Sequence, residues 1–177
     1  MATGKQRARL TAGAKEFDAM VAGLDVPMVV VTVAAGGERS GCLVGFHSQS
    51  SIDPIRYCVW ISKANHTHGV IVRATHFAVH FLSDQDHDLA ELFGGSTGDT
   101  VDKFADLDLS VGAGETPIIN RCSNILVARR TALFDEGGDH VCVMGEPVEV
   151  EFTPFVPLRI SSVADVTPGH AADDLPA

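Results

Sequence analysis

SGCLVGFHSQSSIDPIRYCVWISKANHTH, from Ser40 to His68, changes character twice along its length. It opens rich in glycine and hydroxyl residues, as a loop would be, and reaches Asp53-Pro54. A dense run follows, Tyr57-Cys58-Val59-Trp60-Ile61, whose β-branched and aromatic residues predict a buried strand. The polar turn Ser62 to Thr67 then leads to a helix capped by Asn65, with Val70, Ile71 and Ala74 on its apolar face. A hydroxyl-rich loop, a buried strand and a helix start beside Lys63 and Thr67 suit a phosphorylated aromatic ligand. The free N–H groups and positive dipole end of such a helix attract phosphate.

Working outward, Ala14–Ala22 places Phe17, Met20 and Val21 on one helical face. Met28–Ala34 is an unbroken apolar run and predicts a strand buried on both faces. Gly36-Gly37 predicts a tight hairpin into a strand at Arg39–Phe46. His76–Leu82 is a further strand with His76, Ala78, His80 and Leu82 on one face. Ser83 with Asp86 resembles a helix start, with Leu89, Leu92 and Phe93 buried before Gly94-Gly95 ends it. A hairpin follows, Ile125–Phe134 and His140–Phe152, joined through Asp135–Asp139. Many short strands and two or three helices predict a mainly β protein, a small closed or split β-barrel. Residues 1–13 read as a flexible arm, 14–165 as one domain and 166–177 as a tail.

At 177 residues with 45% hydrophobic content the chain buries a real core and is not disordered. A net charge of −10 argues against nucleic acid or an anionic membrane as partner. Glu38–Leu82 nevertheless carries net +2, with Arg39, Arg56, Lys63 and Arg73 against Glu38 and Asp53, leaving −12 elsewhere. That region would draw a phosphate dianion. The four cysteines lack C-x-x-C spacing and read as reduced thiols, which with no membrane-length apolar run predicts a cytoplasmic protein. Eight histidines complete no zinc pattern. No G-x-S-x-G or P-loop motif points to a hydrolase. His80, inside an apolar strand, reads as a hydrogen-bonded core residue rather than a ligand.

Ser40-Gly41-Cys42-Leu43, Ser51 with Pro54, and Thr67-His68 together resemble the flavin reductase-like family, the FMN-binding split barrels. The resemblance spans residues 24–155. It departs at Leu43, where the family has a hydroxyl residue, at Gly45-Phe46 in place of a serine pair, and at Ile55 in place of a second proline. It implies an FMN (or FAD) cofactor with NADH or NADPH as electron donor. The ring edge would lie along Cys42, Leu43, Val44, Gly45 and Phe46, bonded by main-chain N–H groups. Lys63, His66 and Thr67 would meet the phosphate, with hydroxyls from Ser51 and Ser62. Phe93 and Gly94 would touch the cofactor. His140, after Gly-Gly-Asp, is the expected catalytic-site residue, orienting the nicotinamide by a hydrogen bond rather than moving a proton.

The activity so implied is NAD(P)H:flavin reduction, with a separate monooxygenase as a consumer of reduced flavin. The same fold also carries deazaflavin-dependent reductases and non-catalytic flavin- or haem-binding proteins. The resemblance, and the amount of apolar strand surface, also imply a homodimer with each site near the subunit boundary.

Overall fold

The computed structural model describes residues 13–169. The expected arm and tail lie outside this range except for Gly13 and Val166–Gly169. After α1 (Ala14–Ala22) come β1 (Val29–Ala35), β2 (Glu38–Val44), β3 (His47–Ile52) and β4 (Ile55–Ser62). Next are α2 (His66–Ile71), β5 (His76–Phe81), α3 (His87–Gly95), β6 (Leu109–Val111) and β7 (Pro117–Ile119). A long hairpin closes the series, β8 (Ile125–Phe134) and β9 (His140–Glu151).

Seven strands form one antiparallel sheet in the order β2-β1-β5-β8-β9-β4-β3, and β6 pairs with β7 apart from it. β2, an edge strand, also approaches β4 near the other edge, and α2 packs on β1, β2 and β4. The sheet therefore curls on itself without hydrogen-bonding shut. It is a split barrel with α2 along the seam.

Alternation along the strands builds two cores on the two faces of one sheet. Val29, Val31 and Val33 point inward with Val59, Ile61, Phe77, Val79, Val141 and Val143. Met28, Val30, Ala78 and Leu82 point outward and are covered by Leu89, Ala90 and Phe93 of α3. This double burial is what the continuous valine run foretold. Gly36 and Gly37 both adopt positive φ (62° and 80°), the turn a two-residue hairpin requires.

His80 is fully buried on the α3 side of β5. Its Nδ1–H donates to the Val30 carbonyl at 3.2 Å, while Nε2 accepts the Ile119 N–H at 3.1 Å. These bonds fix one neutral tautomer and tie β5 to β1 and β7.

Four expectations need correction. The hydroxyl-rich loop is in fact β3, paired with β4 from His47↔Val59 to Ile52↔Ile55. Its residues are mostly exposed, so no apolar alternation marks it, and a polar sequence suits an edge strand. α2 ends at Ile71 rather than Ala74, and the Asn65 side chain makes no capping bond. α3 keeps Gly94 and Gly95 in its last turn. At its start Asp86 turns its carboxylate back to the Ser83 N–H and hydroxyl, at 2.8 and 2.6 Å.

Burial pushes the His80 imidazole down to about 4. The unfolded chain then binds the extra proton first, so stability is intact above about pH 6.5 and falls as pH drops toward 4. The expected loss is up to roughly 3 kcal/mol. Urea unfolding at several pH values should show a shallower decline for His80→Gln, which retains a donor and an acceptor. Equal slopes would assign the decline to other groups.

Candidate functional site

A cleft of about 410 Å³ opens where the C-terminal ends of β2 and β4, the α2 turn, the end of α3 and the start of β9 converge. Leu43, Ser62, Asn65, Phe93, Gly94 and His140 line it, and the segment from Ile160 to Gly169 forms the remaining side. Its size falls within the range of small-molecule sites, and it mixes an apolar wall with a few polar groups.

Two absent Cβ atoms shape this cleft. A Cβ on Gly41 would lie 2.8 Å from the Phe93 ring, so glycine lets Phe93 seat directly on β2. A Cβ on Gly94 would lie 2.8 Å from the Leu43 side chain. Lys103 reinforces the same junction. Its buried ammonium donates to the Phe93 carbonyl at 3.0 Å and the Gly41 carbonyl at 3.3 Å, joining the end of α3 to the free edge of β2. Burial lowers its affinity for the proton, opposed by the nearby Cys42 and Asp99.

Five residues expected from the sequence meet in the cleft: Leu43, Ser62, Phe93, Gly94 and His140. Phe46 does not line the cleft but meets its His140, the two rings edge to face at 5.3 Å. His140 Nδ1–H donates to Asp139 at 2.9 Å, so a neutral ring keeps its lone pair on Nε2. Gly45 lies against Met28 and Ile160. Cys42 and Val44 turn into the barrel core, which leaves them only main-chain contact with a ligand. Burial pushes the Cys42 thiol up to about 11, so it stays neutral.

The expected phosphate group is arranged differently. Thr67 is buried and its hydroxyl is bonded to that of Ser40 at 2.9 Å. Lys63 pairs with Asp135 at 2.7 Å. His66 turns toward a second, polar cavity, its ring nitrogens 2.7 Å from Asp99 and 3.0 Å from Glu38. Ser51 pairs with Arg56, six residues along β4 from Ser62 and so roughly 20 Å away at strand rise. Within one chain it stands apart from the cleft. The excess positive charge of residues 38–82 is likewise spent: Arg39 on Asp102, Lys63 on Asp135 and Arg56 on Glu146, all acids from outside that region.

Sequence reading missed Lys103, Asn65 as a cleft residue, and the 160–169 segment. Lys103 sits between an acid and an aromatic residue and looked like any loop lysine. Ile160, Val163 and Val166 recur every three residues, a signal of one apolar face that was there to be found.

The family model for the flavin reductase like domain matches residues 21–156. This chain belongs to that family. It is 30% identical over 145 residues to an NADH:riboflavin 5'-phosphate oxidoreductase of Streptomyces pristinaespiralis, covering 81% of this chain and 80% of that one. It is 26% identical over 152 residues to the reductase component of a flavin-dependent trigonelline monooxygenase from Acinetobacter baylyi. That match takes in 84% of this chain but 48% of the relative, so this chain spans about half that relative's length. A flavin reductase domain protein from Arthrobacter sp. FB24 superposes with a TM-score of 0.71 at 21% identity, over 84% of this chain and 93% of that one. The family's fold is the one described above.

Replacing Lys103 with methionine keeps the bulk and removes the donor from two buried carbonyls. The expected cost is about 1–3 kcal/mol of stability, measured by urea unfolding. No change would mean that water serves those carbonyls equally well.

Proposed function

We propose that this chain is an NADH-dependent flavin reductase acting on FMN, and that its reduced flavin serves a separate monooxygenase. The observation that carries the reading is the convergence of Leu43, Ser62, Phe93, Gly94 and His140 on one cleft from β2, β4, α3 and β9. The Streptomyces relative, an NADH:riboflavin 5'-phosphate oxidoreductase, and the Acinetobacter relative, a monooxygenase reductase component, support it. The residues fit a flavin: Leu43, Ile160 and Val166 give apolar surface for a flat ring, and Ser62, Asn65 and His140 give polar groups beside it.

The flavin, when bound, supplies the electron chemistry, accepting a hydride from the reduced nicotinamide. This chain's own residues bind and orient. Among the described residues the outer edge of β2 pairs with no strand, and its Leu43 end reaches the cleft, where main chain could meet the ring's polar edge. The Asp139 carboxylate holds His140 with Nε2 as acceptor, a fixed group for the incoming nicotinamide carboxamide. Phe46 packs the other side of that imidazole. Lys63 would hold the flavin phosphate by giving up its Asp135 partner. The buried free thiols Cys42, Cys58 and Cys122 fit a reducing, cytoplasmic setting, and no helix among the described residues is long and apolar enough to cross a membrane.

NADH oxidation with FMN, FAD or riboflavin as acceptor tests the activity, and no turnover with any of them would overturn it. Lys63→Ala should weaken FMN roughly tenfold or more relative to riboflavin, because a charge-assisted bond to phosphate contributes about 1.5–3 kcal/mol. Equal losses for both ligands would confine Lys63 to its pairing with Asp135.

The same reading includes a homodimer. In register across β4, β9 and β8 lie Trp60, Cys142 and Phe134, with Phe46 beside them, on the face away from the barrel core. Phe46 and Phe134 are 55% and 49% exposed, and Phe17 and Met20 of α1 are also open to solvent. An apolar face of this kind favours twofold pairing. Sedimentation at low micromolar concentration should give a dimer mass for the wild type and a monomer mass for Phe134→Asp. A monomeric wild type with flavin bound would overturn the assembly.

A further inference from the structure

The family match stops at residue 156, yet Ile160, Val163, Val166 and Pro168 line the cleft. The start of this segment is anchored in the fold. Leu158 N–H donates to Leu82, Met28 N–H to Leu158 and Ile160 N–H to Val26, all within 3.0 Å. Val163 is buried in the outer core. Beyond Ala164 the attachments are fewer and lie at the surface. They include the Gly169 N–H bond to the Gly94 carbonyl (3.0 Å) and an exposed ion pair, His87–Asp165 (3.1 Å). Between them Val166 packs against the spot left bare by Gly94, next to Leu43.

We infer that residues 160–169 are part of the flavin site, an apolar wall added to the family domain that sets how tightly this chain holds its flavin. The inference rests on the flavin-reductase reading. A flat aromatic ring loses water on whichever face meets Ile160, Val166 and Pro168, and binding gains with the apolar area so covered. The polar cleft groups Ser62, Asn65 and His140 stand on β4, the α2 turn and β9 rather than on this segment, so the segment supplies grip and not polar recognition. Its outer half, held by a backbone bond and a surface ion pair, yields at small cost and gives the ring a way in and out.

Gly169→Ala is the direct test. Its Cβ would stand 2.7 Å from the Ser96 carbonyl carbon and 3.0 Å from the Thr97 nitrogen, so the segment cannot dock as it does now. Val166→Asp is the second variant, removing the apolar contact and leaving the anchored half alone. Both should bind FMN about tenfold more weakly and release it faster. FMN affinity and release equal to wild type would overturn the inference. Should neither variant fold, hydrogen exchange on the wild type decides. The Val166 and Gly169 amides should gain protection when FMN is added, and unchanged exchange would overturn it. A wild type that binds no FMN removes the reductase reading and this inference together, whereas a wild type that binds FMN with an indifferent segment overturns this inference alone.

Discussion

The contact of Phe93 with the bare Cα of Gly41 is the constraint on which the cleft depends. A side chain at residue 41 would meet the ring at 2.8 Å and push α3 off the sheet. With glycine there, the end of α3 lies on the edge strand, and Lys103 ties the two by donating to a carbonyl of each. Phe93 and Phe104 then meet edge to face at 5.5 Å, and Arg39 lies 5.1 Å from the Phe104 ring. One missing methyl group thus decides where helix, edge strand and the 97–104 loop come together.

The barrel's division of labour follows from its open seam. β1 and β5 are buried on both faces and fix the geometry, with His80 bonding across the layers. β2 and β3 are edges, and the two behave differently. β3 blunts its edge with polar, exposed residues. β2 is backed by α3 and α2, Lys103 takes its Gly41 carbonyl, and its Leu43 end lines the cleft. A barrel that closed fully would have no such edge to offer a ligand.

Charge is organised locally rather than by region. The cations gathered between residues 38 and 82 are each met by a carboxylate, many of them distant in sequence. An anion entering near Lys63 or His66 would have to displace Asp135, or Asp99 and Glu38, so its binding there would be an exchange of partners. Exposed pairs of this kind are cheap to open, typically below about 1 kcal/mol.

By itself the sequence determined the strands with buried faces and the helices with apolar sides. The valine run of β1 and the β8–β9 hairpin were legible because burial imposes a period on residue type, and the double-glycine turn because its positive φ favours glycine. It also named Leu43, Ser62, Phe93, Gly94 and His140, which line one cleft, through resemblance to a family pattern rather than through spacing. Tertiary structure alone decided what has no period. β3 is a strand because β4 pairs with it, and its own residues are those of a loop. Lys103 is buried because Gly41 and Phe93 offer it two carbonyls 62 and 10 residues away. Lys63, His66 and Thr67 are adjacent in sequence but reach three separate partners, since neighbours around a turn point in different directions. The wall at residues 160–169 belongs to the cleft only because the chain returns past Leu82 and Met28 to lie there. Such contacts join residues far apart in the chain, and local sequence carries no trace of its distant partner.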